Sequence, residues 1–273
     1  MFYWSKVRAF GLSVGVVPFT PLSLPFKHLI HLNMKKVSLI MGMALTTLCL
    51  GNKVKAEEPE KAVTLEIKAD VVSSYVWRGM DCAGFSIQPE ATLTWQKPGL
   101  SFGAWASVEL MDSHDWANMS EFDLFLEWSK GGFTAGLTDY NFCSGGYWSG
   151  WKFNADATHF LEANLAYDFG PLALAWNTLL TGPDHRFDNG ELKRNYSTYV
   201  ELTAPWKLGG LEGSAAVGAC LWDDTFSAPG NEGLNVCNIA LTATKEIGGV
   251  PVSASVITNP QSDKTFFVVG VSF

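Results

Sequence analysis

The chain is short of basic residues, short of cysteine and, beyond its N-terminal region, without any long apolar run. Lysine and arginine total 19 against 27 aspartates and glutamates in 273 residues, and seven of the basic residues lie before Ala56, in a stretch that holds no acid. The portion beyond Ala56 therefore has twelve basic and 27 acidic side chains, a net charge of −15. Such a surface repels a phosphate backbone, which excludes nucleic acid as a partner. No segment after Ala56 approaches the roughly 20 consecutive apolar residues of a membrane helix, so any crossing of a bilayer must be made by strands. The five cysteines include no Cys-x-x-Cys pair, which argues against a close-spaced metal site. No phosphate-binding glycine loop, metal signature or nucleophile elbow is present, and no cofactor is expected.

The first feature present is a leader. Lys35 and Lys36 follow Met34, a mostly apolar run extends from Val37 to Gly51, and Val54-Lys55-Ala56 has the small or branched residues that precede a cleavage point. Residues 34–56 read as a secretory signal peptide. Residues 1–33, whose apolar run is interrupted by Pro18, Pro21 and Pro25, read as translation from an early start codon or as a long leader, and residues 57–62 as a short periplasmic segment. Residues 63–273 form one domain.

From Val63 a period-two pattern takes over. Val63, Leu65, Ile67, Ala69, Val71, Tyr75 and Trp77 fall on one face, and Thr64, Glu66, Lys68, Asp70, Ser74 and Arg78 on the other. The segments beginning at Phe85, Leu100 and Glu121 repeat the alternation, and eight further strands are expected over 132–142, 157–169, 171–181, 194–206, 211–223, 233–246, 250–259 and 264–273. Twelve is an even number, as single-chain bacterial barrels require. Every second connection is short and rich in Gly or Pro, as at Lys97-Pro98-Gly99, Lys130-Gly131-Gly132 and Gly170-Pro171. The intervening connections are longer and more polar. Aromatics mark strand ends at Tyr75, Trp77, Trp95, Trp128, Tyr167, Phe169, Trp206 and Phe273, as a bilayer-interface girdle would place them. The fold expected is all-β, a transmembrane antiparallel up-and-down barrel of about twelve strands in the bacterial outer membrane. The same parity would also suit a soluble barrel with its apolar face inward.

Two resemblances add to this picture. The last strand, with Phe267, Val269, Val271 and Phe273 on one face, resembles the C-terminal sorting strand of outer-membrane barrels, which implies recognition by the barrel assembly machinery. Ser73-Ser74-Tyr75-Val76-Trp77-Arg78-Gly79, with Gly103-Ala104-Trp105-Ala106-Ser107 after it, resembles the TorF-type family of conserved hypothetical outer-membrane proteins classed as porins. The likeness is specific over about residues 69 to 110 and implies an outer-membrane location and a pore.

With the apolar face toward lipid, the lumen receives Glu66, Lys68, Asp70, Arg78, Glu90, Glu109, Glu121, Asp123, Glu127, Glu162, Asp168, Glu201 and Glu212. Carboxylates dominate, and an acid-lined aqueous path concentrates cations. The function expected is passive diffusion of small solutes or ions with a weak cation preference. The alternative is an occluded barrel in which these charges pair across the lumen and the external loops bind a ligand. Arg78 either lines a constriction or anchors Asp81 and its loop. Lipid and lipopolysaccharide are the surroundings expected, with Asp112-Ser113-His114-Asp115 and Asp223-Asp224 able to meet calcium or the bridging cations of lipopolysaccharide. A lipid hydrolase using His159 and Ser149 is the remaining alternative; no base-orienting set is readable, and the chain is expected not to be an enzyme. Of the four cysteines after Ala56, the pairings favoured are Cys220 with Cys237, which flank one loop, and Cys82 with Cys143, which lie at one end.

Overall fold

The computed structural model describes residues 62–111, 120–142, 159–222 and 233–273; the expected leader lies outside them. Sixteen strands occur there. They are β1 (Val63–Val72), β2 (Tyr75–Trp77), β3 (Met80–Ala83), β4 (Ser86–Trp95), β5 (Leu100–Glu109), β6 (Ser120–Lys130), β7 (Phe133–Asn141), β8 (His159–Asp168), β9 (Ala173–Leu179), β10 (His185–Asp188), β11 (Glu191–Arg194), β12 (Thr198–Leu208), β13 (Leu211–Cys220), β14 (Asn235–Ile247), β15 (Val250–Asn259) and β16 (Lys264–Ser272). Twelve of them close a barrel in the order β1-β16-β15-β14-β13-β12-β9-β8-β7-β6-β5-β4, antiparallel throughout. The other four form two small hairpins, β2-β3 and β10-β11.

The barrel is apolar outside and polar inside. Leu65, Phe102, Leu126, Leu137, Leu165, Leu202, Leu241, Val256 and Phe267 are exposed. Gln88, Ser107, Glu121, Asp123, Glu162 and Asn238 are buried. In water such an exterior would be costly at about 25 cal/mol per Å² of apolar surface; in acyl chains it costs nothing, and closure leaves few backbone groups unpaired. This polarity resolves the orientation that parity alone leaves open. Trp95 is the last residue of β4, and Trp128, Tyr167 and Trp206 lie within two residues of the ends of β6, β8 and β12 beside the short turns, with Tyr167 packed on Phe169 at 4.6 Å between ring centroids. They are the row that the strand-end pattern anticipates at that rim.

The short turns are built on glycine. Gly99, Gly131, Gly132, Gly170, Gly209, Gly210, Gly248 and Gly249 all have positive φ, a conformation that costs glycine little. The seam where the first strand meets the last is narrow. β1 and β16 are in register over Asp70, Val71 and Val72 only, three pairs, whereas β1 and β4 are in register over ten. Backbone hydrogen bonds in both directions between Ala69 and Phe273, at 3.1 and 3.0 Å, extend the seam by one step.

One expectation is corrected. The alternation that begins at Val63 continues in sequence through Trp77, but the strand ends at Val72. Ser73 donates its backbone N–H to Val269 at 2.8 Å and accepts from the Val269 N–H with its hydroxyl at 2.9 Å. The chain then leaves the wall. Residues 75–83 fold inward as the β2-β3 hairpin, so Tyr75 and Trp77 pack inside the barrel on Trp105 and Tyr140 and are not part of an outer girdle.

Candidate functional site in the barrel lumen

The hairpin reverses at Arg78 and Gly79, both with positive φ (51° and 77°), the pattern of a two-residue primed turn. Trp77 and Met80 face each other across it. The hairpin arises between β1 and β4 and reaches the far wall, where Trp77 and Met80 pack with Leu179 of β9, Tyr199 of β12, Cys220 of β13 and Cys237 of β14. A side chain at position 79 has no room, because an added β-carbon would strike the Cys237 carbonyl oxygen. Asn259 donates its amide to the Gly79 carbonyl at 3.2 Å.

At the tip, Arg78 crosses the lumen to the wall. Its guanidinium donates two parallel hydrogen bonds to Glu162 of β8, at 2.7 and 2.8 Å. The rings of Trp77 and Tyr199 lie 4.4 and 4.6 Å from it. The two side chains are 8% and 0% exposed. Glu162 is further satisfied by the Tyr140 hydroxyl at 2.8 Å and the Asn164 amide at 2.9 Å. Burial works against the charge on Arg78, and the Glu162 carboxylate outweighs it and raises the guanidinium pKa above its ordinary range. A fully bonded, bidentate, ring-flanked pair is the kind that survives desolvation. Neighbouring groups continue the polar layer: Tyr199 donates to Glu201, Asn238 donates to both at 3.1 and 3.0 Å, and Asn164 donates to Asn177 at 3.0 Å.

On the short-turn side of this layer lies a cavity of about 370 Å³ lined by Glu66, Glu90, Thr92, Ser101, Phe125, Glu127 and Thr138. Lys68 pairs with Glu90 at 3.0 Å. On the other side, Glu121 and Asp123 are buried at 5% exposure, and the Asn141 backbone N–H donates to Asp123 at 3.3 Å. Of the remaining acids singled out from sequence, Glu109 accepts the Gly84 N–H at 3.0 Å, and Asp70 stands opposite Gln88 and Ser272. Asp168 and Glu212 stay at the rim. Asp168 binds its own turn through the Gly170 N–H at 2.7 Å, and Glu212 pairs with Lys207 in solvent.

Cys220 and Cys237 come together, with Sγ atoms 3.1 Å apart and both residues fully buried. Cys82 lies in β3, and burial pushes its thiol pKa up to about 12. Cys143, Ser149 and the acidic runs at 112–115 and 223–224 lie outside the described residues. His159 is held by Asp139, with Nδ1 2.9 and 3.1 Å from the carboxylate oxygens. The pair keeps the outward parity of Leu137 and Leu165, and nothing local to His159 in the sequence announces its carboxylate partner. No cluster of three or more metal-binding side chains exists among the described residues. Tyr140, Tyr199, Asn164 and Asn238 are missing from the lumen residues expected from sequence, although all four have inward parity; that parity is the signal by which they could be found.

No family model matches the chain, and no curated protein matches it. The TorF-type likeness thus stands on its motif residues alone. Among solved structures, a double mutant of Rh. blastica porin matches at 18% identity and a TM-score of 0.36, over 68% of this chain and 55% of that one. The chain therefore spans about half the length of that porin.

Proposed function

We propose that this chain is an outer-membrane barrel that works as a narrow passage for small cations, with its aperture set by the β2-β3 hairpin. The observation that carries the reading is the Arg78–Glu162 pair, which ties an inward-folded hairpin to the opposite wall of an otherwise polar lumen. A wide, unselective pore has no use for such a tie. An aqueous path that skirts the hairpin and then meets Glu66, Glu90 and Glu127 favours cations by the field of those carboxylates. The surroundings are outer-membrane lipid and lipopolysaccharide, and insertion uses the barrel assembly machinery acting on β16.

The test is a planar-bilayer recording under a salt gradient. Small conductance steps with a cation-selective reversal potential are expected, and anion selectivity would overturn the reading. A second reading, an occluded barrel that binds a ligand at its long-loop end, is favoured by the complete hydrogen bonding of Glu162. It predicts folded, heat-modifiable protein that conducts neither as wild type nor after Arg78→Ala.

A further inference from the structure

Beside the latch lies a second cavity of about 140 Å³, bounded by Trp77, Met80 and Cys82 from the hairpin and by Tyr140, Phe142, Phe160 and Leu179 from the wall. Its lining offers a ligand rings, a thioether, a thiol and aliphatic carbon. The polar side-chain atoms of Tyr140 and Cys82 are directed elsewhere. The Tyr140 hydroxyl is spent on Glu162, and the Cys82 thiol points to the Met80 carbonyl at 3.7 Å. Water placed here would forfeit hydrogen bonds, and walls of this kind favour an apolar guest. Phe142 and Phe160 meet edge to face at 5.8 Å and Trp77 tilts against Tyr140 at 5.2 Å, the tilted geometries in which aromatic rings pack on one another. The two sulfur-bearing side chains are soft partners for the same class of guest.

We propose that this cavity binds one small uncharged aromatic molecule of benzene or toluene size. Because one wall belongs to the hairpin and the other to β7, β8 and β9, the cavity is complete only while the hairpin is docked. The guest therefore binds the docked state and stabilises it by mass action. Binding itself does not depend on the conduction reading, so the two can fail separately.

The experiment uses the full barrel folded in detergent and titrated with toluene, with the midpoint of heat-modifiable migration as the readout. A saturable rise of a few degrees is expected for the native protein and none for Leu179→Phe, whose ring occupies the space. Cys82→Leu serves as a second filling variant should the first fold poorly. Crystals soaked in bromobenzene should give a bromine peak between Trp77 and Phe160. No midpoint shift, an equal shift in native and filled proteins, which marks partition into the micelle, or a bromine peak only elsewhere would overturn the proposal.

Discussion

Replacing Glu162 with glutamine should unlatch the hairpin. The change keeps the shape and the Tyr140 and Asn164 contacts but leaves the Arg78 guanidinium, 8% exposed, without its counter-charge. Removing one member of a buried pair costs about 3 to 5 kcal/mol, chiefly because the survivor is left charged and desolvated. Trp77 and Tyr199 beside the guanidinium recover about 1 to 2 kcal/mol of that. The net of roughly 1 to 4 kcal/mol moves the docked–undocked equilibrium by about 5- to 900-fold toward undocking. Single-channel recording of Glu162→Gln should then show open time or step size raised well above native, with heat-modifiable migration intact as proof that the barrel is folded. Arg78→Ala should act in the same direction. The double variant Arg78→Leu, Glu162→Leu, which removes both charges and keeps apolar bulk, should fall back toward native behaviour. Single variants that conduct as the native barrel does, or a double variant as open as the singles, would refute the reasoning.

The same geometry fixes other outcomes. Gly79→Ala combines a φ of 77° with a collision at the Cys237 carbonyl and should cost about 1 to 3 kcal/mol of hairpin docking, read as raised conductance; Gly131→Ala, at φ 60° with open space around it, should leave conductance unchanged. Glu66→Gln with Glu127→Gln should lower the cation preference measured by reversal potential without changing the folded yield. With a pKa near 12, the Cys82 thiol is almost wholly protonated at pH 8, so iodoacetamide should modify it slowly in the folded barrel and quickly after heating in detergent, as read by mass spectrometry. Mass spectrometry of exported, unreduced protein should find Cys220 and Cys237 in one cross-linked peptide pair that separates on reduction, and free thiols at both positions would contradict that pairing.

The barrel is legible because its physics is one-dimensional. Alternation of Leu65, Ile67 with Glu66, Lys68 states which side each residue takes, and glycine in the short turns states where the chain reverses. Strands expected over 211–223 and 250–259 occur as Leu211–Cys220 and Val250–Asn259. The inward hairpin is not legible for the same reason. Tyr75 and Trp77 continue the parity of β1, so a local pattern cannot report that Ser73 has turned the chain out of the sheet. Arg78-Gly79 is also an unusual primed turn, since Asn-Gly or Asp-Gly is the ordinary signal. The Arg78–Glu162 contact joins residues 84 apart in sequence, and nothing near either position announces the other. Parity likewise sends Asp168 and Glu212 inward, yet as the terminal or near-terminal residues of β8 and β13 they stand in water beside their turns.

The narrow join of β1 to β16 gives this cylinder an unequal circumference. Eleven neighbouring strand pairs share six or more residue pairs each, whereas this one shares three. Thermal breathing and the final zipping step of insertion should both concentrate there. The hairpin leaves the wall within two residues of that join, through Ser73. Whatever loosens the stopper therefore tugs on the weakest stave, and a wall that parts there would free the stopper in turn.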